Sequence, residues 1–190
     1  MDCAQIVMPA TSTVEIQHTT IPDQPAPGQI LIASEWSVIS AGTEVANYTA
    51  KDGGVHVPGN WNSYPWTAGY GNVGIVRAVG SGVAGITPGQ RVFTHGPHAS
   101  CFHYGAERLV VPVPDAVDPA LAAASRMAGV AFTGPLAAEL GANQWVAVFG
   151  LGMVGNLAAQ ICRLLGARVI GIDPSATRRA QAQRCGIAHV

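Results

Sequence analysis

The stretch "VAVFGLGMVG", Val146 to Gly155, places three glycines at positions 150, 152 and 155, directly after a short apolar run and at the start of "NLAAQICRLLG", a helical pattern. Gly150 permits a tight turn, Gly152 lets the backbone approach a ligand closely, and Gly155 lets the helix pack against the strand. A second apolar run, "ARVIGID", follows and ends at Asp173, 18 residues beyond Gly155. A strand before the glycines, a helix after them and an acid at the next strand tip together predict a dinucleotide site. The pyrophosphate would meet the unpaired N–H groups and positive dipole end of the helix that opens near Met153 and Val154. Gly150, Leu151, Gly152, Met153, Val154 and Gly155 form the expected phosphate turn. Asp173 would accept hydrogen bonds from ribose hydroxyls and repel a 2′-phosphate, which favours NAD over NADP. Arg178, five residues on, keeps NADP open, because a guanidinium can pair with that phosphate.

Upstream the texture is different. "QILIASEWSVIS", "GNVGIVRAVG", "QRVFTHG" and "ERLVVPVP" are β-branched runs bounded by Gly, Pro or Asn. They predict a small closed all-β unit with turns at "APG", "GSG" and "TPGQ". After Asp118, an N-cap followed by Pro119, the Ala-rich "PALAAASRMAGVAFTGPLAAEL" reads as one or two helices broken at Pro135. The order that follows is β-α-β-α. The expected domains are residues 1–118 and 119–190, a β unit followed by an α/β dinucleotide-binding unit. The chain stops at "GIAHV", where a third parallel strand would begin, so these residues read as an N-terminal portion of a longer enzyme.

Composition excludes several classes. Of 190 residues 48% are apolar and 11% charged, with a net charge of −1 and no basic run, so no nucleic-acid surface is expected. No apolar stretch approaches the roughly 20 residues that span a bilayer, and no leader pattern follows Met1. The four cysteines, Cys3, Cys101, Cys162 and Cys185, show no CxxC pair and read as reduced thiols of a cytoplasmic protein.

The β unit, the Ala-rich hinge and the glycine turn, in that order, resemble the medium-chain dehydrogenase/reductase superfamily, the alcohol dehydrogenase-like proteins. That resemblance implies a GroES-like β-barrel domain followed by a partial Rossmann domain. Gly69, Gly74, Gly80 and Val83 match the spacing of the family's G-H-E signature, with Tyr70 in place of the histidine and Gly71 in place of the glutamate, and "PGQRV" (88–92) matches its G-D-R-V turn. Zinc members take their first ligand from the cysteine of a C-G-T-D stretch, which here is Ala41, Gly42, Thr43, Glu44. The second ligand position is Tyr70 and the third falls at Ser125 or Arg126. Alanine has no donor atom and arginine does not deprotonate, so no metal ligands and no zinc are expected. "SVISAGTE" resembles instead the S-x-G-T-E form of the family's zinc-less branches.

The resemblance implies hydride transfer between a nicotinamide and a small alcohol or carbonyl compound, with a homodimer allowed. Thr43 matches the family hydroxyl that relays the alcohol proton. Tyr70 is the candidate acid, with packing into the vacated metal position as its alternative. Glu44 is expected to be a paired structural acid. "THGPHASCFHYG" places His95, His98, Cys101 and His103 close in sequence, either as a metal cluster or as a substrate rim. Two other functions stay in view: a nucleotide-binding protein or subunit without chemistry, and a quinone or enoyl reductase.

Overall fold

The computed structural model describes all of residues 1–190, which form two compact units, Met1–Ala124 and Ser125–Val190. The division falls inside a helix, past the Asp118 boundary expected from composition. No helix is long and apolar enough to cross a membrane.

In the first unit, β3 (Gln29–Ser37), β5 (Asn72–Val79), β6 (Arg91–Thr94), β7 (Cys101–Gly105) and β8 (Val110–Pro112) form an antiparallel sheet in the order β7-β3-β5-β6-β8. Its inward residues Ile30, Ile32, Val76, Val92, Phe102 and Tyr104 make the main core, the alternation that the β-branched runs encode. A second antiparallel sheet, β2-β1-β4, contains β1 (Asp2–Met8), β2 (Glu15–Thr20) and β4 (Trp66–Thr67). The β1–β2 hairpin is absent from the sequence reading because β2, "EIQHTT", is exposed along its whole length and carries no apolar alternation. The two sheets meet at the Gln5–Ala99 bridge.

Cys3 on β1 and Cys101 on β7 form a disulfide, with Cα atoms 5.4 Å apart and a sequence separation of 98. The expectation of four reduced thiols is corrected here: sequence spacing says nothing of a pair that two strands bring together. Cys162 and Cys185 are free.

A helix not expected from the sequence, α1 (Ala41–Tyr48), follows β3. Its start is fixed by Glu44, whose Oε1 accepts the Ser40 N–H at 2.9 Å. Its far end is fixed by asparagines: Asn62 Nδ2 donates to Asn47 Oδ1 at 2.8 Å, Asn60 Nδ2 donates to Asn62 Oδ1 at 2.9 Å, and the Tyr64 hydroxyl donates to the Asn47 carbonyl. Asn47 and Asn62 are fully buried. Asn62→Ala leaves the buried Asn47 amide without that partner and is expected to lower stability by about 1–3 kcal/mol, measured as a shift in denaturant midpoint.

α2 (Pro119–Ala137) is one helix. Asp118 Oδ1 accepts from the N–H groups of Ala120 and Leu121 at 2.8 and 3.1 Å, the expected cap. Pro135 lies in its last turn, so it marks the end of the helix and does not split it.

In the second unit, β9 (Trp145–Phe149) and β10 (Arg168–Ile172) pair in parallel, with α3 (Met153–Leu164) and α4 (Ala176–Arg184) connecting and following them. Leu151, Ala159, Cys162, Ala167, Val169, Ala182 and Ile187 form its core. In the structure α3 and α4 cover one face, and Phe149 on the other is 77% exposed. His189 begins a third parallel pairing with Ile170.

Candidate functional site

The glycine turn behaves as its spacing predicts. Gly150 has φ +86°, the left-handed region that favours glycine. A Cβ on Gly155 would lie 1.7 Å from the Gly150 carbonyl oxygen, so no side chain fits there. Gly152, the N-cap of α3, differs from both. Its φ of −66° suits any residue, a Cβ there meets nothing within 4 Å, and no side chain caps the helix. Neither conformation nor internal packing accounts for that glycine. It stands open at a helix start whose first N–H groups lack intrahelical partners. These residues fit a dinucleotide.

Asp173 stands at the tip of β10 with its side chain 1% exposed. Oδ2 accepts the Leu151 N–H and Oδ1 the Ser175 N–H, each at 2.7 Å. The carboxylate therefore ties the phosphate turn to the second strand. Reading it as a ribose acceptor misses this role. Those two N–H bonds, and behind them the Arg178 guanidinium 3.6 Å away, hold the carboxyl below the usual range. Arg178 is 58% exposed, and Arg179 Nη1 donates to the Asp173 and Pro174 carbonyls.

The sign for stability follows. With a folded pKa below the unfolded value of about 3.9, Asp173 contributes stability in full above that value, and the contribution is lost as pH falls through the folded pKa. Asp173→Asn is expected to melt at lower temperature at pH 7 and to lose less on acidification than the parent. Circular dichroism melts at pH 7 and pH 3 measure both.

In the first unit, Thr43 on α1 and Tyr70 before β5 are brought together, with Thr43 Oγ1 3.1 Å from the Tyr70 hydroxyl. The buried Ser40 hydroxyl donates to Thr43 Oγ1 at 3.2 Å. Three hydroxyls thus form one chain, and Ser40 is its member that sequence reasoning missed. The sequence carried no signal for it: Glu44 stands four residues after Ser40, one more than the capping-box spacing, and the Ser40 side chain makes no cap bond. Glu44 is paired, as expected: besides the Ser40 N–H, its Oε1 meets His98 Nε2 at 3.1 Å.

The four residues of "THGPHASCFHYG" do not converge. His98 turns to Glu44 and Ser37, Cys101 is bonded to Cys3, His103 Nε2 meets the Pro22 carbonyl at 2.9 Å, and His95 packs edge-on against Phe93. Strand alternation sends neighbours to opposite faces. No group of three or more His, Cys, Asp or Glu residues is placed to hold a metal ion. At the positions matching the zinc ligands of relatives, Ala41 offers no donor atom, and Tyr70 offers a phenol engaged with Thr43. This donor set does not fit zinc.

Residues 26–115 match the family model of the alcohol dehydrogenase GroES-like domain. Among solved structures, quinone oxidoreductase from Escherichia coli complexed with NADPH superposes with a TM-score of 0.81 at 24% identity, over 98% of this chain and 57% of that one. The 2R,3R-butanediol dehydrogenase of Bacillus subtilis superposes with a TM-score of 0.83 at 22% identity, over 97% of this chain and 61% of that one. A phenolphthiocerol/phthiocerol polyketide synthase from Mycobacterium tuberculosis is 33% identical over 122 residues, 62% of this chain and 6% of that protein. The chain therefore spans about three fifths of the solved structures it matches and a small part of this curated relative. Residues 26–115 thus carry the alcohol dehydrogenase GroES-like domain, and the glycine turn and parallel strand pairing that follow share the fold of these oxidoreductase structures.

Proposed function

We propose that the protein is a zinc-independent, NAD(P)-dependent oxidoreductase acting on a small alcohol or carbonyl compound. The observation that carries this reading is the hydroxyl chain Ser40–Thr43–Tyr70, placed where zinc relatives have a metal ligand and its neighbour. A bound nicotinamide would supply or accept the hydride. What the protein must then manage is the charge that develops on the substrate oxygen, and with no ligand set for a Lewis acid that task falls to donors. Because Thr43 accepts from Ser40, its own hydroxyl hydrogen can go to Tyr70. That polarity aligns the three groups so that a proton given up by Tyr70 is replaced from Thr43, that of Thr43 from Ser40, and that of Ser40 from water. Run backwards, the same chain removes the proton of an alcohol.

Gly150, Gly152 and Gly155 would seat the pyrophosphate and Asp173 the ribose, which supports NAD. The exposed Arg178 is the group a 2′-phosphate would use. Titrating NADH and NADPH into the protein while following nicotinamide fluorescence tests this. Micromolar binding of either, with Arg178→Ala weakening NADPH by about tenfold and NADH little, supports the assignment. Binding of neither contradicts it.

The likeness to a quinone oxidoreductase favours one second reading, reduction of a quinone or an activated alkene. There the same tyrosine would protonate the reduced product. Parallel assays with small aldehydes, quinones and conjugated enones separate the two.

A further inference from the structure

Outside the Thr43–Tyr70 pair, side chains from the end of β3, from α1 and from the loop between β6 and β7 form a second hydrogen-bonded line. Ser37 Oγ at the end of β3 lies 2.8 Å from His98 Nδ1, and His98 Nε2 lies 3.1 Å from Glu44 Oε1 on α1. The histidine is held on both sides by backbone. Its N–H donates to the Ala68 carbonyl at 2.8 Å, and its carbonyl accepts the Ile6 N–H at 2.9 Å. His98 and Glu44 are nearly buried, their side chains 9% and 12% exposed, while Ser37 is exposed.

The tautomer follows from the partners. An ionised carboxylate only accepts, so Nε2 carries the ring hydrogen and donates it to Glu44. Nδ1 is then a lone pair facing Ser37, and Ser37 must donate. A serine donating to an imidazole that an acid orients from its far side is the arrangement that makes a hydroxyl nucleophilic.

Ser37 and His98 open onto a cleft of about 350 Å³. Ile6, Ile16 and Trp36 supply its apolar lining, and Ser34 and Ser100 also line it. Each of these two serines already accepts a hydrogen bond, from Asn72 Nδ2 and from the Ala4 N–H, both at 2.9 Å, which leaves its hydroxyl hydrogen to donate to a substrate oxygen. Glu35, the acid that lines the cleft, is forked by Arg91 at 2.6 and 3.1 Å and takes no part.

From these observations we propose that Ser37, His98 and Glu44 form a second catalytic site, which transfers the acyl group of small apolar esters to water. Ser37 Oγ bonds to the ester carbonyl carbon while its proton moves to His98 Nδ1, and Glu44 stabilises the imidazolium. The carbon–oxygen bond to the leaving alcohol breaks, and that alcohol departs with the proton from His98. Water, deprotonated by His98, then attacks the acyl-serine, and the returning proton restores Ser37 and releases the carboxylic acid. The nicotinamide takes no part.

The test is labelling of the full chain with a fluorophosphonate, with the adduct located by peptide mass mapping, alongside hydrolysis of p-nitrophenyl butyrate. The expected result is one adduct, on Ser37, with ester turnover lost in Ser37→Ala and retained in Ser81→Ala, and both rates down roughly hundredfold in His98→Gln. Mapping the unmutated protein keeps the test decisive if a variant fails to fold. No adduct, an adduct on another residue, or labelling of Ser37 at an unchanged rate in His98→Gln overturns the proposal.

Discussion

Gly155→Ala is expected to abolish nucleotide binding and to destabilise the second unit. The added Cβ would stand 1.7 Å from the Gly150 carbonyl oxygen, a backbone atom that cannot swing aside as a side-chain tip can. Either α3 shifts away from β9 or the turn opens. The cost is about 3 kcal/mol or more, at or beyond the upper end of the usual overpacking range and a large part of a typical domain's stability. Gly152→Ala provides the contrast. Its Cβ meets nothing and its φ of −66° is ordinary, so the melting temperature should move little while NADH or NADPH affinity falls about tenfold or more. Thermal melts and fluorescence titrations of the two variants, read together, distinguish a glycine needed by the fold from one needed by the ligand.

The second large effect is expected at Tyr70. Tyr70→Phe keeps the ring and its packing but deletes the hydroxyl that meets Thr43 at 3.1 Å. If that oxygen handles the substrate proton, turnover should fall by about 10²–10⁴-fold with NADH or NADPH affinity unchanged, the range for loss of a positioned acid. Ser40→Ala removes the donor behind Thr43 and should act in the same direction more weakly, because Thr43 and Tyr70 remain. Steady-state rates on the best substrate from the aldehyde, quinone and enone panels measure both. A Tyr70→Phe protein with full turnover would reduce the tyrosine to a filler of the vacated metal position.

What could be read in the sequence was local. The spacing of Gly150, Gly152 and Gly155 encodes a turn that lies within six residues, and the structure gives Gly150 and Gly155 their reasons. The β-branched runs of β3, β5, β6 and β8 were legible because alternation repeats every two residues. The rest depended on distance along the chain. Cys3 and Cys101 meet only because β1 and β7 are brought together, and Ser37, Glu44 and His98 come from the end of β3, from α1 and from the loop between β6 and β7. Asp173 was recognised at its position, but the inward bonds to Leu151 and Ser175 have no sequence signal. α1 was hidden by its setting: "AGTEVANY" directly follows a strand, and no side chain of Ser40 caps it.

The lack of a metal ligand set has the sharpest consequence. On the proposed reading, zinc and the hydroxyl chain are competing ways to stabilise charge on one oxygen, and the donors at Ala41 and Tyr70 favour the second. The decisive measurement is metal analysis of the purified protein, with turnover followed before and after exhaustive chelation. Substoichiometric zinc and an unchanged rate are expected; one tightly bound zinc per chain, whose removal abolishes turnover and whose return restores it, would refute the hydroxyl chain as the group that handles the oxygen.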